Sequence, residues 1–141
     1  MIEERDEKGQ MMPSERRMGF RETRRARRVG LVVPATYSIH ESLKTQIRLS
    51  EDVVRATTRD IGTGGVAIES KYFIPKGALI KIGIDSGPFY QGREGFDKPI
   101  SVVGRVVWTT MEAKRRYRVG VQFIEIREED KEAIAKFVAS H

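Results

Sequence analysis

From Val29 onward, apolar and polar residues alternate with a period of two. Val54 and Ala56 alternate with Arg55 and Thr57, and Ile80, Ile82 and Ile84 alternate with Lys81, Gly83 and Asp85. Val102, Val106 and Trp108 share one parity across Gly104, as do Tyr117, Val119, Val121 and Phe123. This alternation puts apolar side chains on one face of a strand and polar ones on the other. It predicts six or seven strands, over residues 29–39, 44–50, 53–59, 65–70, 78–85, 100–111 and 115–125. Turn formers separate them, including Pro75-Lys76-Gly77 and the Gly/Pro-rich stretch 86–99. Short strands at this spacing imply an antiparallel barrel or sandwich, with no βαβ signal. Pro34, inside the first strand, predicts an edge or a bulge there. Trp108, on an alternating strand, is expected in the core. The stretch 86–99, with Phe89, Tyr90 and Phe96, is longer than a tight connection needs; it reads as a mobile insertion or a docking place for a partner.

The period changes at the end of the chain. Acidic residues crowd positions 128–132, where they favour the positive end of a helix dipole. Ile134, Phe137 and Val138 then follow at i, i+3 and i+4, one apolar stripe of a helix that packs on the strands. Residues 1–20 show neither period and few large apolar groups, which predicts a mobile arm.

Charge sharpens this division. Of the net charge of +6, residues 1–15 carry −3, with two basic and five acidic residues, and residues 29–141 carry +3. The thirteen residues 16–28 contain seven arginines against Glu22 alone, so their +6 equals that of the whole chain. Arginine offers a planar fork that pairs bidentately with phosphate and stacks on rings, which points to an anionic, aromatic partner.

Several functions are excluded. The 141-residue chain has no cysteine, which removes disulfides, thiolate metal sites and thiol nucleophiles. Its two histidines, His40 and His141, make no local metal cluster, and His40 reads as a surface residue at a strand end. A P-loop would need Gly-Lys-Ser/Thr, which is absent, and Gly62-Thr63-Gly64-Gly65 does not open a helix. An enzyme is therefore the least favoured class. No apolar run approaches the ~20 residues of a membrane span, and the N-terminus lacks the apolar core of a signal peptide. The expected location is cytoplasmic, without membrane insertion.

Two segments remain as candidate chemistry: Arg24-Arg25-Ala26-Arg27-Arg28-Val29, where the basic arm meets the first strand, and Asp60-Ile61-Gly62-Thr63-Gly64-Gly65, between two strands. Alone, the first is a solvated basic patch and the second an ordinary turn opened by an aspartate. Together, in this order, they resemble the bacterial PilZ domain family, whose signature is R-x-x-x-R before the first strand and then D/N-x-S-x-x-G. Arg24 and Arg28 fit the first motif; Arg17–Arg21 and Arg21–Arg25 share the spacing but lie farther from the strand. Asp60 and Gly65 fit the second. The likeness extends over about residues 24–139, including Tyr117-Arg118-Val119-Gly120-Val121-Gln122-Phe123 and the acidic start of the last helix.

The resemblance implies a mainly β fold, a six- to seven-stranded antiparallel barrel with a C-terminal helix. It implies an arm over 1–23, arginine-rich from 16, and a barrel domain over 24–141. It further implies a receptor for cyclic di-GMP, with no cofactor or metal, that signals to a downstream protein partner. Arg24 and Arg28 would hold phosphate and base, Asp60 would accept guanine N–H groups, and Gly62 and Gly65 would line the other side, with Arg25, Arg27 and Gly64 as auxiliaries. The glycines would let backbone approach a flat base and allow positive φ. The family serine is Gly62 here, a lost hydroxyl worth roughly a two- to tenfold drop in affinity. The arm is expected to be free without ligand and to fold across the barrel with it. Two competing readings are a PilZ-like adaptor that has lost the nucleotide and a nucleic-acid-binding barrel. The second is disfavoured because Phe20 is the only aromatic residue near the arm. Arg115, Arg116 and Arg118 read as a solvated turn and strand face.

Overall fold

The computed structural model describes residues 27–40, 52–90 and 98–141. The expected arm, with Arg24 and Arg25, the expected strand at 44–50 and Phe96 lie outside the described residues. Seven strands and one helix follow in chain order: β1 (Arg28–Gly30), β2 (Pro34–Ile39), β3 (Val54–Gly62), β4 (Gly65–Ser70), β5 (Leu79–Ile84), β6 (Ile100–Ala113), β7 (Arg116–Ile126) and α1 (Glu128–Ala139).

All pairings are antiparallel, in the order β1-β3-β2-β5-β6-β7-β4, and β3 also pairs with β4. That last pairing closes six strands into a barrel, with β1 as an added strand. The expected barrel is present. Its interior holds the predicted parity: Ile80, Ile82 and Ile84 are buried together with Val54, Ile61, Val66, Ile68, Val106 and Val119.

The strand expected over 29–39 is two strands. β2 pairs with the first half of β3 (Pro34 opposite Thr57, Tyr37 opposite Val54), and β1 pairs with its end (Arg28 opposite Gly62, Gly30 opposite Asp60). Thr58, fully buried, splices the gap. Its hydroxyl donates to the Leu31 carbonyl at 2.6 Å and accepts from the Val33 N–H at 2.9 Å. Pro34 is neither on an edge strand nor in a bulge. It opens β2, which lies between β3 and β5, where a residue without an N–H costs the ladder least.

Helix α1 opens on Glu128, Glu129 and Asp130 and buries Ile134 and Val138, as the stripe predicts. Phe137 packs on Phe89, with ring centroids 5.0 Å apart. The described part of the 86–99 stretch is therefore not a loose insertion. Phe89 and Tyr90 donate their N–H groups back to the Ser86 carbonyl, and the Tyr90 hydroxyl donates to Asp130 Oδ1 at 2.5 Å. Burial first, and the carboxylate second, push the Tyr90 hydroxyl up to about 12.

Candidate ligand-binding site

The register of β1 on β3 builds the site. Arg28 faces Gly62, and Asp60 lies two residues along β3 on the same face, a diagonal that a long side chain can span. Arg28 Nε donates to Asp60 Oδ1 at 2.7 Å and Nη2 lies 2.6 Å from the same oxygen. Two residues 32 apart in sequence thus meet because β1 pairs directly with β3.

A bulge turns Asp60 outward. Thr58 pairs with Ile68 and Asp60 with Ala67, leaving Arg59 as an extra residue on β3. Such an insertion reverses the facing of everything beyond it. Thr58 and Ile61, three apart, are consequently both buried, while Asp60 faces out. A second bulge does the same on β6. Val106 pairs with Val121 and Trp108 with Gly120, so Val107 is the extra residue. Val106 is buried and Trp108 is 42% exposed. This corrects the expected core position of Trp108: strict alternation would have buried it, and the bulge shifts the parity. Its indole lies against Gly120, where a Cβ would stand 2.2 Å from Trp108 Cε2, so only glycine admits the ring there.

Between these features is a cleft of about 440 Å³, lined by Arg28, Gly62, Gly64 and Gly65 on one side and by Trp108, Gly120 and Gln122 among others on the other. That volume lies within the usual range for small-molecule sites. Gly62, Gly64 and Gly65 do not use positive φ; among the described residues the only positive-φ glycine is Gly77. Gly65 instead permits close strand packing, since a Cβ there would stand 2.3 Å from the Val121 carbonyl oxygen, whereas one on Gly64 would meet nothing within 4 Å.

Asp60 also faces Arg118, whose Nη2 lies 3.9 Å from Oδ2. From there charges alternate across the outer surface: Arg118 to Glu112 at 3.9 Å, Glu112 to Arg59 at 3.0 Å, Arg59 to Glu69 at 3.2 Å. The hydrogen bond from Arg59 to Glu112 raises the pKa of the guanidinium. Arg118, its side chain 38% exposed, thus keeps the expected solvated strand face but also joins this network. Its distances to both acids exceed hydrogen-bond length, and its buried Nε has no hydrogen-bond partner among the described residues.

Of the predicted site residues, Arg28, Asp60, Gly62, Gly64 and Gly65 come together, and Arg27 contributes its backbone beside Gly62. Sequence reasoning missed Trp108, Gly120, Gln122 and Arg118. The indole and its glycine are separated by a strand turn and paired by a bulge, which leaves no local signal. Arg118 alone had one, its outward parity beside Val119.

The family model of the PilZ domain matches residues 22–140. The chain belongs to the PilZ domain family. No curated protein matches its sequence. Among solved structures, it is similar to the Bacillus subtilis inhibitor of motility MotI/DgrA (TM-score 0.61, 15% identity, covering 82% of this chain and 49% of that one). It is similar also to the PilZ domain of CeSA from a cellulose-synthesizing bacterium (TM-score 0.51, 12% identity, covering 80% and 95%). A third is K. pneumonia MrkH in complex with c-di-GMP (TM-score 0.54, 16% identity, covering 82% and 51%). At these identities the likeness is one of fold. The chain spans about half the length of MotI and of MrkH and nearly all of the CeSA PilZ domain. No helix of the described part of this PilZ domain is long and apolar enough to cross a membrane.

Proposed function

We propose that this PilZ domain is a cyclic di-GMP receptor whose occupied site alters the N-terminal arm and so signals to a protein partner. The observation that carries the reading is the meeting of Arg28 with Asp60 at the rim of a cleft that also exposes Trp108. Each group matches one part of the nucleotide. An arginine fork suits a phosphate, or O6 and N7 of guanine. A carboxylate accepts from the N–H groups on the opposite guanine edge. An exposed indole offers a face on which a base can stack.

Binding is then an exchange of partners. Arg28 leaves Asp60 for the ligand, Asp60 turns its oxygens to guanine, and Arg118 remains as the countercharge for Asp60. Gly62, Gly64 and Gly65 present bare backbone to the base, and Arg24, Arg25 and Arg27 supply further cations from the arm. MrkH has been solved with this nucleotide, and the shared family extends the same ligand class to this chain. The chemistry asked of these residues is recognition, with no bond made or broken.

Isothermal titration with cyclic di-GMP tests the reading. Arg28→Ala and Asp60→Ala should each lose at least about 2 kcal/mol, roughly thirtyfold in Kd, because each deletes a charge-assisted contact. Equal binding by both variants and the unaltered protein would move the site elsewhere. One observation favours a second reading, an adaptor without nucleotide: Gly62 carries no hydroxyl. No heat from cyclic di-GMP with the unaltered protein would select it.

A further inference from the structure

Gly62 stands where the PilZ motif has serine, and a missing hydroxyl is only one consequence. A Cβ built on Gly62 would fall 2.7 Å from the carbonyl oxygen of Arg27 and 3.3 Å from Cγ of Arg28. The first contact is with backbone at the entry to β1, so no side-chain rotation relieves it. The second is with the stem of the arginine whose head reaches Asp60. Any residue with a Cβ at 62, serine included, must push the start of β1 away from β3.

The geometry points to Gly62 as a positioning residue: by lacking a Cβ it lets β1 close on β3 and lays the Arg28 stem across it, so the guanidinium arrives on Asp60 before any ligand does. Gly30, the third residue of β1, provides the internal comparison. A Cβ there meets nothing within 4 Å, although Gly30 sits directly opposite Asp60. The requirement for glycine is therefore local to position 62. The substitution exchanges one ligand contact, the serine hydroxyl, for a junction between arm and barrel that is already ordered. Ordering that segment would otherwise oppose binding.

The ligand consequence rests on the receptor reading above; the docking of β1 does not. Hydrogen–deuterium exchange on the full chain, without ligand, tests the docking. The Leu31 N–H bonds the Arg59 carbonyl at 3.1 Å and reports on β1. Gly62→Ala and Gly62→Ser should speed exchange over residues 28–31 by about tenfold or more, the loss of one or two backbone hydrogen bonds. Gly30→Ala should leave it unchanged, and the β6–β7 ladder should stay protected throughout. Unchanged exchange over 28–31 in both Gly62 variants would overturn the inference. So would loss of protection across β6 and β7, because Gly62 would then be holding the barrel and not the arm. Titration separates the two claims. Gly62→Ser should bind cyclic di-GMP several-fold more weakly despite regaining the family hydroxyl, and tighter binding would overturn the positioning role. If the unaltered protein binds no nucleotide while β1 still loosens in the Gly62 variants, the receptor reading fails and the docking role stands.

Discussion

Asp60 and Asp130 each take a strong hydrogen bond from a residue more than thirty positions away, yet they are set in opposite surroundings. The Asp60 side chain is 27% exposed and its partner Arg28 is 42% exposed. Asp130 and Tyr90 are each 5% exposed, sealed between α1 and the turn at 86–90. Water reaches the first pair and can replace either partner, so the bond contributes little to folding and is easily exchanged for a ligand. Water does not reach the second, so breaking it strands a buried polar group. Solvent access, more than bond length, separates a binding contact from a fastener.

The largest expected stability effect lies on the sealed pair. Tyr90→Phe should lower the unfolding free energy by about 1–3 kcal/mol, because the Asp130 carboxylate loses its buried donor. Denaturant titration measures this, and an effect near zero would show that Asp130 reaches water after all. Next comes the splice beneath the ligand side. Thr58→Val removes two bonds to the Leu31–Val33 gap and should cost about 1–3 kcal/mol by the same measurement, at about 0.5–1.5 kcal/mol for each bond. Arg28→Ala should cost less than about 1 kcal/mol of folding stability even though it removes ligand affinity. A larger loss than that of Tyr90→Phe would break the contrast.

The contrast also predicts a pH dependence. The Tyr90 hydroxyl stands at about 12 in the folded chain against an ordinary value of 10.0. The folded state therefore holds its proton where the unfolded chain has released it. The associated stability is complete below about pH 10 and is lost as pH rises toward 12. Melting temperatures should fall more steeply across that window for the unaltered protein than for Tyr90→Phe, and parallel curves would place the phenol in contact with water.

Much of the architecture was legible in the alternation. Ile80, Ile82 and Ile84, or Val119 and Val121, follow the period because each faces one core from an unbroken ladder. What could not be read depends on neighbours distant in sequence. Arg59 and Val107 become bulges through their registers against β4 and β7, and nothing local in either stretch marks an extra residue. Alternation alone therefore points Trp108 inward, and only the family motif singles out Asp60. The break at 31–33 likewise depends on a threonine some 25 residues away. Arg28, Asp60 and the glycines were legible because their spacing is itself the motif. The partners that complete the cleft from β6 and β7 carry no such spacing.

The bulge at Val107 has a practical consequence. Trp108 is the only tryptophan in the chain, and the bulge brings its indole to the wall of the cleft. Excited at wavelengths too long for the four tyrosines, the protein's intrinsic fluorescence therefore comes from one emitter at one place. Occupancy of that wall can be followed as quenching or a shift in emission colour, without attaching a dye.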